Sequence, residues 1–246
     1  MTTPANGKSR RGLVWAIVGG TVLLVGATAI IIASIASPQP SPALTAPTVT
    51  DSSPRSAKPT ESASVDVVDA SVADRGWVPE PITTNAEFYA RAALAAASTF
   101  DTQLSTRSEW LAYLDTWFTP DTRYTSATDR EADMAASQLE LRQGVVLPEA
   151  EWNFLANEDG RVTATVSGDI VHAEVPDNPS GDMKIATADV LLTFTRLGGG
   201  SEASYEETVR VSVQILCGSE SRPTPDTAQR PGDCKVIRYF SGSVES

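Results

Sequence analysis

The chain has 246 residues, with 31 acidic side chains against 19 basic ones and a formal net charge of −12. Phosphate binding needs clustered Lys and Arg. No Lys/Arg-rich stretch follows residue 11, so nucleic acid is excluded as a partner.

Residues 1–12 carry Lys8, Arg10 and Arg11 and read as a cytoplasmic tail. Residues 13–36 follow without a charge, and no acidic residue occurs before Asp51. At 1.5 Å rise per residue, about 20 apolar residues cross a hydrocarbon core roughly 30 Å thick. Residues 13–36 are therefore expected to be one transmembrane helix. Basic residues ahead of a span favour a cytoplasmic start, which places everything after it outside. A cleaved signal peptide is the alternative, because Ala33, Ser34 and Ala36 are small. Signal cores usually run to about 7–15 residues, so length favours an anchor.

Residues 37–77 are expected to be a linker, with Pro38, Pro40, Pro42, Pro47, Pro54 and Pro59 too close together for helix. Pro-rich chain extends by about 3.1 Å per residue and would hold a domain, residues 78–246, away from the bilayer.

Thr84 and Glu87 have the spacing of a capping box and predict a helix start. Tyr89, Ala93, Ala96 and Phe100 form one apolar stripe on it. Thr106 and Glu109 form a second box, followed by Trp110, Leu111, Leu114, Trp117 and Phe118, with Pro120 as the stop. A third helix is predicted from Thr128 to Gln143, with a weaker apolar face. After Gly144 the period falls to two. Strands are predicted over 161–175, 189–197, 207–217 and 235–241, with turns at Asp159–Gly160 and at Gly198, Gly199 and Gly200. Cys217 and Cys234 are expected to be disulfide-bonded, since both lie outside the membrane and no CxxC or His partner suggests metal or redox chemistry. The fold class is thus α+β: a transmembrane helix, a linker, then three helices packed on a curved antiparallel sheet of about four strands, cone-like.

The order of AEFYARAALAAASTFDT, EWLAYLDTWFTPDTRY and the cysteine-flanked pair VRVSVQILC and CKVIRYF resembles the cone of nuclear-transport-factor-like domains. Behind one span and a Pro-rich linker, the whole is similar to the bitopic assembly subunits of type IV secretion and Gram-positive conjugation systems. That resemblance implies other membrane-complex subunits as partners and a homo-oligomer as an option. It also implies that chemistry, if any, would sit in the open end of the cone.

Candidates for such chemistry are few. His172 lies near Asp169 and Glu174, but alternation along a strand puts His172 and Glu174 on one side and Asp169 on the other. Two ligands are too few for a metal site, and no metal or cofactor is expected. Tyr89, Tyr113, Tyr124 and Asp115 could polarise a carbonyl as isomerases of this fold do, yet aromatics at helical spacing are usually core. Trp110 and Trp117 face one way, into the core or into a partner. Trp77, between the linker and Pro79, is a candidate docking point. Trp77, Tyr89, Trp110, Tyr113, Trp117 and Tyr124 are therefore the candidate pocket or interface residues. The acidic runs at 202–207 and 129–133 read as solvated faces or as a steering surface for a basic partner. The expected function is a non-enzymatic membrane scaffold; the alternative is a protein binding a small molecule or lipid at the envelope, for which an apolar pocket of several hundred cubic ångströms would speak.

Overall fold

A computed structural model of the chain describes residues 66–198 and 200–242. The expected tail, the span at 13–36 and the linker up to residue 65 lie outside the described residues. Among the described residues, no helix is long and apolar enough to cross a membrane.

The domain is α+β, with a curled antiparallel sheet of five strands in the order β1-β2-β3-β4-β5. In chain order the elements are α1 (Ala86–Ala96), β1 (Phe100–Asp101), α2 (Arg107–Asp115), α3 (Ala127–Gly144), α4 (Glu149–Ala156), β2 (Arg161–Glu174), β3 (Met183–Gly198), β4 (Ser201–Leu216) and β5 (Lys235–Ser241). Residues 66–77, assigned above to the linker, are folded. Val67 bridges to Pro81, Ala70–Arg75 form a 3-10 helix capped by Asp69, and Val72 and Trp77 are buried. The chain then turns at Gly76, whose φ of 75° and 2.7 Å approach of a would-be Cβ to the Asp101 Cβ both require glycine.

Helix α1 starts one residue later than the box at Thr84 predicts. Asn85 is the cap, its side chain accepting from the Phe88 amide at 2.9 Å, and three consecutive cap-forming residues leave the sequence unable to choose among them. The second box is present in full: Thr106 Oγ1 accepts from the Glu109 amide, and Glu109 Oε2 accepts from the Thr106 amide at 2.9 Å. Helix α2 nevertheless ends at Asp115, so Trp117 and Phe118 are not helical. Residues 117–119 run instead alongside β5, where the Val236 amide donates to Trp117 O at 3.0 Å and the Thr119 amide to Val236 O at 2.8 Å. The backbone partners offered by a sheet edge outweigh another half-turn of helix ahead of Pro120. Phe100 likewise leaves the α1 stripe for β1, pairing with Val162.

Helix α4 has no counterpart among the elements predicted from the sequence. Pro148 stands at its N-cap without a side-chain cap bond, and Trp152 and Leu155 bury its inner face. Its exit requires Gly160, where a Cβ would meet Leu155 O at 2.9 Å. Strands β3 and β4 are longer than the apolar alternation implies, pairing without interruption from Met183 with Leu216 to Gly198 with Ser201. Helix α1 packs on the hollow side of β2, β3 and β4, while α3 packs on β5. Helix α3 buries only Ser137 and Leu141, so its docking is largely polar: Arg238 of β5 binds Asp133 at 2.8 Å and the Ser137 hydroxyl at 3.1 Å. The Cys217–Cys234 disulfide is formed and closes the loop between β4 and β5.

Candidate functional site

Two features stand out from the packed interior: a buried ionic cluster and an apolar cleft. Glu80 and Lys235 are 155 residues apart in sequence and both fully buried, with 2.8 Å between the ammonium and Glu80 Oε1. Lys235 Nζ also donates to Thr116 O at 2.7 Å, Thr224 Oγ1 at 2.9 Å and Gln229 Oε1 at 3.4 Å. Tyr89 Oη donates to the same Glu80 oxygen at 2.7 Å. Burial pushes the Lys235 ammonium below the usual lysine range, against the pull of Glu80. Burial, reinforced by Glu80, holds the Tyr89 hydroxyl well above the tyrosine range. This cluster joins the segment before α1, α1 itself, the end of α2 and the disulfide-closed loop. Both charged side chains are buried, and the chemistry of the cluster is that of a fastener.

The candidate residues fall mostly into this interior. Tyr113 Oη donates to Val78 O at 2.7 Å and accepts from the Glu80 amide at 3.0 Å, so the backbone of the entering chain occupies the hydroxyl. Trp77 stacks on Tyr113 with centroids 5.0 Å apart and donates its indole N–H to Ser105 Oγ at 2.9 Å. That is a docking contact for the chain ahead of α1, built from within the domain. Trp110 is enclosed by Phe100 and Trp152, and Trp117 lies beside Tyr89 and Tyr113. Tyr124 is 41% exposed and stands apart from the others. Asp115 pairs with Arg142 of α3 rather than with Tyr113; burial raises its carboxyl above the usual range, against the Arg142 charge. Asp115 therefore forms no dyad with Tyr113, and the acid that Tyr89 meets is the buried Glu80. His172 and Glu174 are exposed on β2, and a bulge between Ser167 and Val171 interrupts the alternation just where Asp169 sits. Among the described residues, no three His, Cys, Asp or Glu side chains gather as metal ligands would.

The cleft, of about 330 Å³, lies between the loop joining α3 to α4 and the hollow face of the sheet. Val145, Val146 and Leu147 form one wall, and Phe100, Val162, Leu192, Phe194, Val209 and Val211 the floor, with Gln143, Glu207 and Arg210 at the rim. Phe100 is braced from below by Trp152 at 4.1 Å. None of the six candidate residues lines this cleft. The signal in the sequence was the run Val145, Val146, Leu147, an apolar stretch too short for an element and placed between Gly144 and Pro148.

No protein-family model matches the sequence, and no curated protein matches it. Among solved structures, an IcmL-like type IV secretion system protein from Legionella pneumophila is similar at 13% identity, over 63% of this chain and 88% of that one, with a TM-score of 0.37. A periplasmic fragment of TraM is similar at 14% identity, over 63% and 92%, with a TM-score of 0.37. CagV, a VirB8 homolog of the Helicobacter pylori type IV secretion system, is similar at 14% identity, over 56% and 82%, with a TM-score of 0.30.

Proposed function

We propose that the chain is a non-enzymatic, single-pass membrane assembly protein of a conjugation or type IV secretion complex, acting through its extracytoplasmic domain. One observation carries this reading: an uncharged run at 13–36 behind a basic tail leads to a disulfide-closed α+β domain in which the candidate groups Tyr89, Tyr113 and Asp115 are engaged in holding the fold. A domain tethered outside the membrane with these buried groups spent on packing acts through its surface. The choice of complex rests on the resemblance drawn from the sequence; the solved chains above bear secretion-system or TraM descriptions of their own. In cells that carry the chain within a transfer system, its deletion is expected to abolish transfer, and the full-length chain to restore it. Undiminished transfer after deletion contradicts the proposal.

The cleft supports a second reading, an envelope protein that binds an apolar small molecule or lipid. Its volume and apolar lining fit one acyl chain or ring system. Mass spectrometry of lipid extracted from the native protein decides for it if one species is retained stoichiometrically, and against it if none is.

A further inference from the structure

We propose that the outer edge of β4, over residues 202–208, is a docking strand that takes up an extended, basic segment of a partner protein as one more strand of the sheet. An exposed edge is a row of unpaired backbone donors and acceptors that templates added strands. Three edges of this sheet invite comparison. That of β5 is paired with residues 117–119 at Val236, and α3 packs against the strand. That of β2 is broken by the bulge at Gly168, with φ of 69°, where Arg91 also binds the Gly168 carbonyl at 3.0 Å. Strand β5 pairs with β4 only from Val211 onward, so the half of β4 nearest the β3 turn has β3 on one side and no strand among the described residues on the other.

Residues 202–208 of that half are regular. Their pairing with β3 has no bulge and they contain no proline, so two common protections of an edge are missing. The Arg210 carbonyl accepts from the Gly242 amide and hence faces outward. Stepping by two along an unbroken ladder, the backbone groups of Thr208, Glu206, Ser204 and Glu202 face outward as well. Residues 201–208 are exposed throughout, and Tyr205, 49% exposed and stacked on Phe194 at 4.7 Å, offers an aromatic surface to a strand laid alongside.

Charge selects the occupant. Glu202 is held by Arg161 at 2.9 Å, whereas Glu206 and Glu207 have no ion pair among the described residues and flank the edge on its two faces. A second copy is disfavoured. An antiparallel self-pair about a two-fold axis anywhere from 204 to 207 sets glutamates of the two copies opposite or diagonal to each other, where like charges repel. An added strand with lysine or arginine at alternating positions carries its charges on one face, meets Glu206 or Glu207 there with attraction, and completes the ladder.

The proposal deepens the assembly role by naming a surface and the chemistry of its partner. The test is a dye-labelled, terminally blocked peptide of alternating lysine and valine, long enough to span 202–208, titrated against the full-length protein in nanodiscs. Anisotropy is expected to show saturable binding that weakens with salt. Methylating every second amide of the peptide leaves its charge intact and is expected to weaken binding at least about tenfold, because the ladder is lost. Ser204→Pro, which removes an outward N–H while leaving the β3 pairing intact, and Glu206→Lys with Glu207→Lys should each do the same. The methylated peptide needs no variant, so a folding failure of Ser204→Pro leaves the test standing. Equal binding of the methylated and unmethylated peptides, no binding of the basic peptide, or a dimer of the full chain that Ser204→Pro dissolves would each overturn the proposal. Transfer activity is read independently, so failure of the edge and failure of the assembly role are separate results.

Discussion

Replacing Lys235 with methionine tests whether the Glu80–Lys235 pair is the fastener described above. The two positions are unequal. Without Lys235, the buried Glu80 carboxylate retains the Tyr89 hydroxyl on Oε1, and its Oε2 has no partner among the described residues. Glu80→Gln instead leaves the ammonium with Thr116 O, Thr224 Oγ1 and Gln229 Oε1. Breaking a buried pair from one side costs about 3–5 kcal/mol, so Lys235→Met is expected at the upper end of that range and Glu80→Gln below it. For a domain of this size about 1 kcal/mol moves Tm by roughly 2–4 °C, which puts Lys235→Met about 10–20 °C lower. The double variant removes both charges and should lie above Lys235→Met, with a coupling of about 2 kcal/mol. The assay is denaturant unfolding of the full chain in nanodiscs followed by tryptophan fluorescence. Four of the five tryptophans, Trp77, Trp110, Trp117 and Trp152, lie in the domain. Additive single effects within about 0.5 kcal/mol, or losses below about 1 kcal/mol as for exposed pairs, would refute the reasoning.

Cys217→Ser with Cys234→Ser opens a loop with a sequence separation of 17, and the chain-entropy estimate is a loss of about 3 kcal/mol, roughly 6–12 °C in Tm; mass spectrometry after alkylation without reduction should find no free thiol in the protein isolated from cells. Alkaline stability follows the buried phenols. Tyr89, Tyr113 and Tyr239 are raised in the fold, chiefly by burial, so their contribution is full below pH 10 and is lost as pH climbs above it. Lys235, lowered in the fold, acts the other way and gains up to pH 10.5. With three groups against one, unfolding is expected above about pH 10, with the phenolate absorbance of these tyrosines appearing together with it rather than before. A periplasmic-type reporter fused at the C-terminus should be active and one fused ahead of residue 13 inactive; the reverse pattern contradicts the topology.

How far the sequence could be read depended on where the determinants lie. The α2 capping box and the strands at 161–174 and 235–241 are set by neighbours three or two residues apart, and they formed as expected. The distal half of β4 escaped notice because residues 201–208 are exposed on both faces, so no alternation of polarity marks it as a strand. Helix α4 lacks a side-chain cap and spans only two turns, too little for a period to emerge. Trp117 kept helical spacing from Trp110 yet left the helix, because a backbone partner on β5, more than 110 residues away, was the stronger claim. The pairing of Glu80 with Lys235 is of the same kind. A lysine inside the apolar run from Cys234 to Ile237 signals that some acid must be buried nearby, but only the fold says which one.

The measurement that bears most directly on the central claim is crosslinking of the full-length protein in its native membrane, with mass spectrometry of what residues 66–242 capture. An assembly subunit should yield other subunits of the transfer channel, joined through these residues. Capture of lipid alone, or of other copies of the chain alone, would contradict that role.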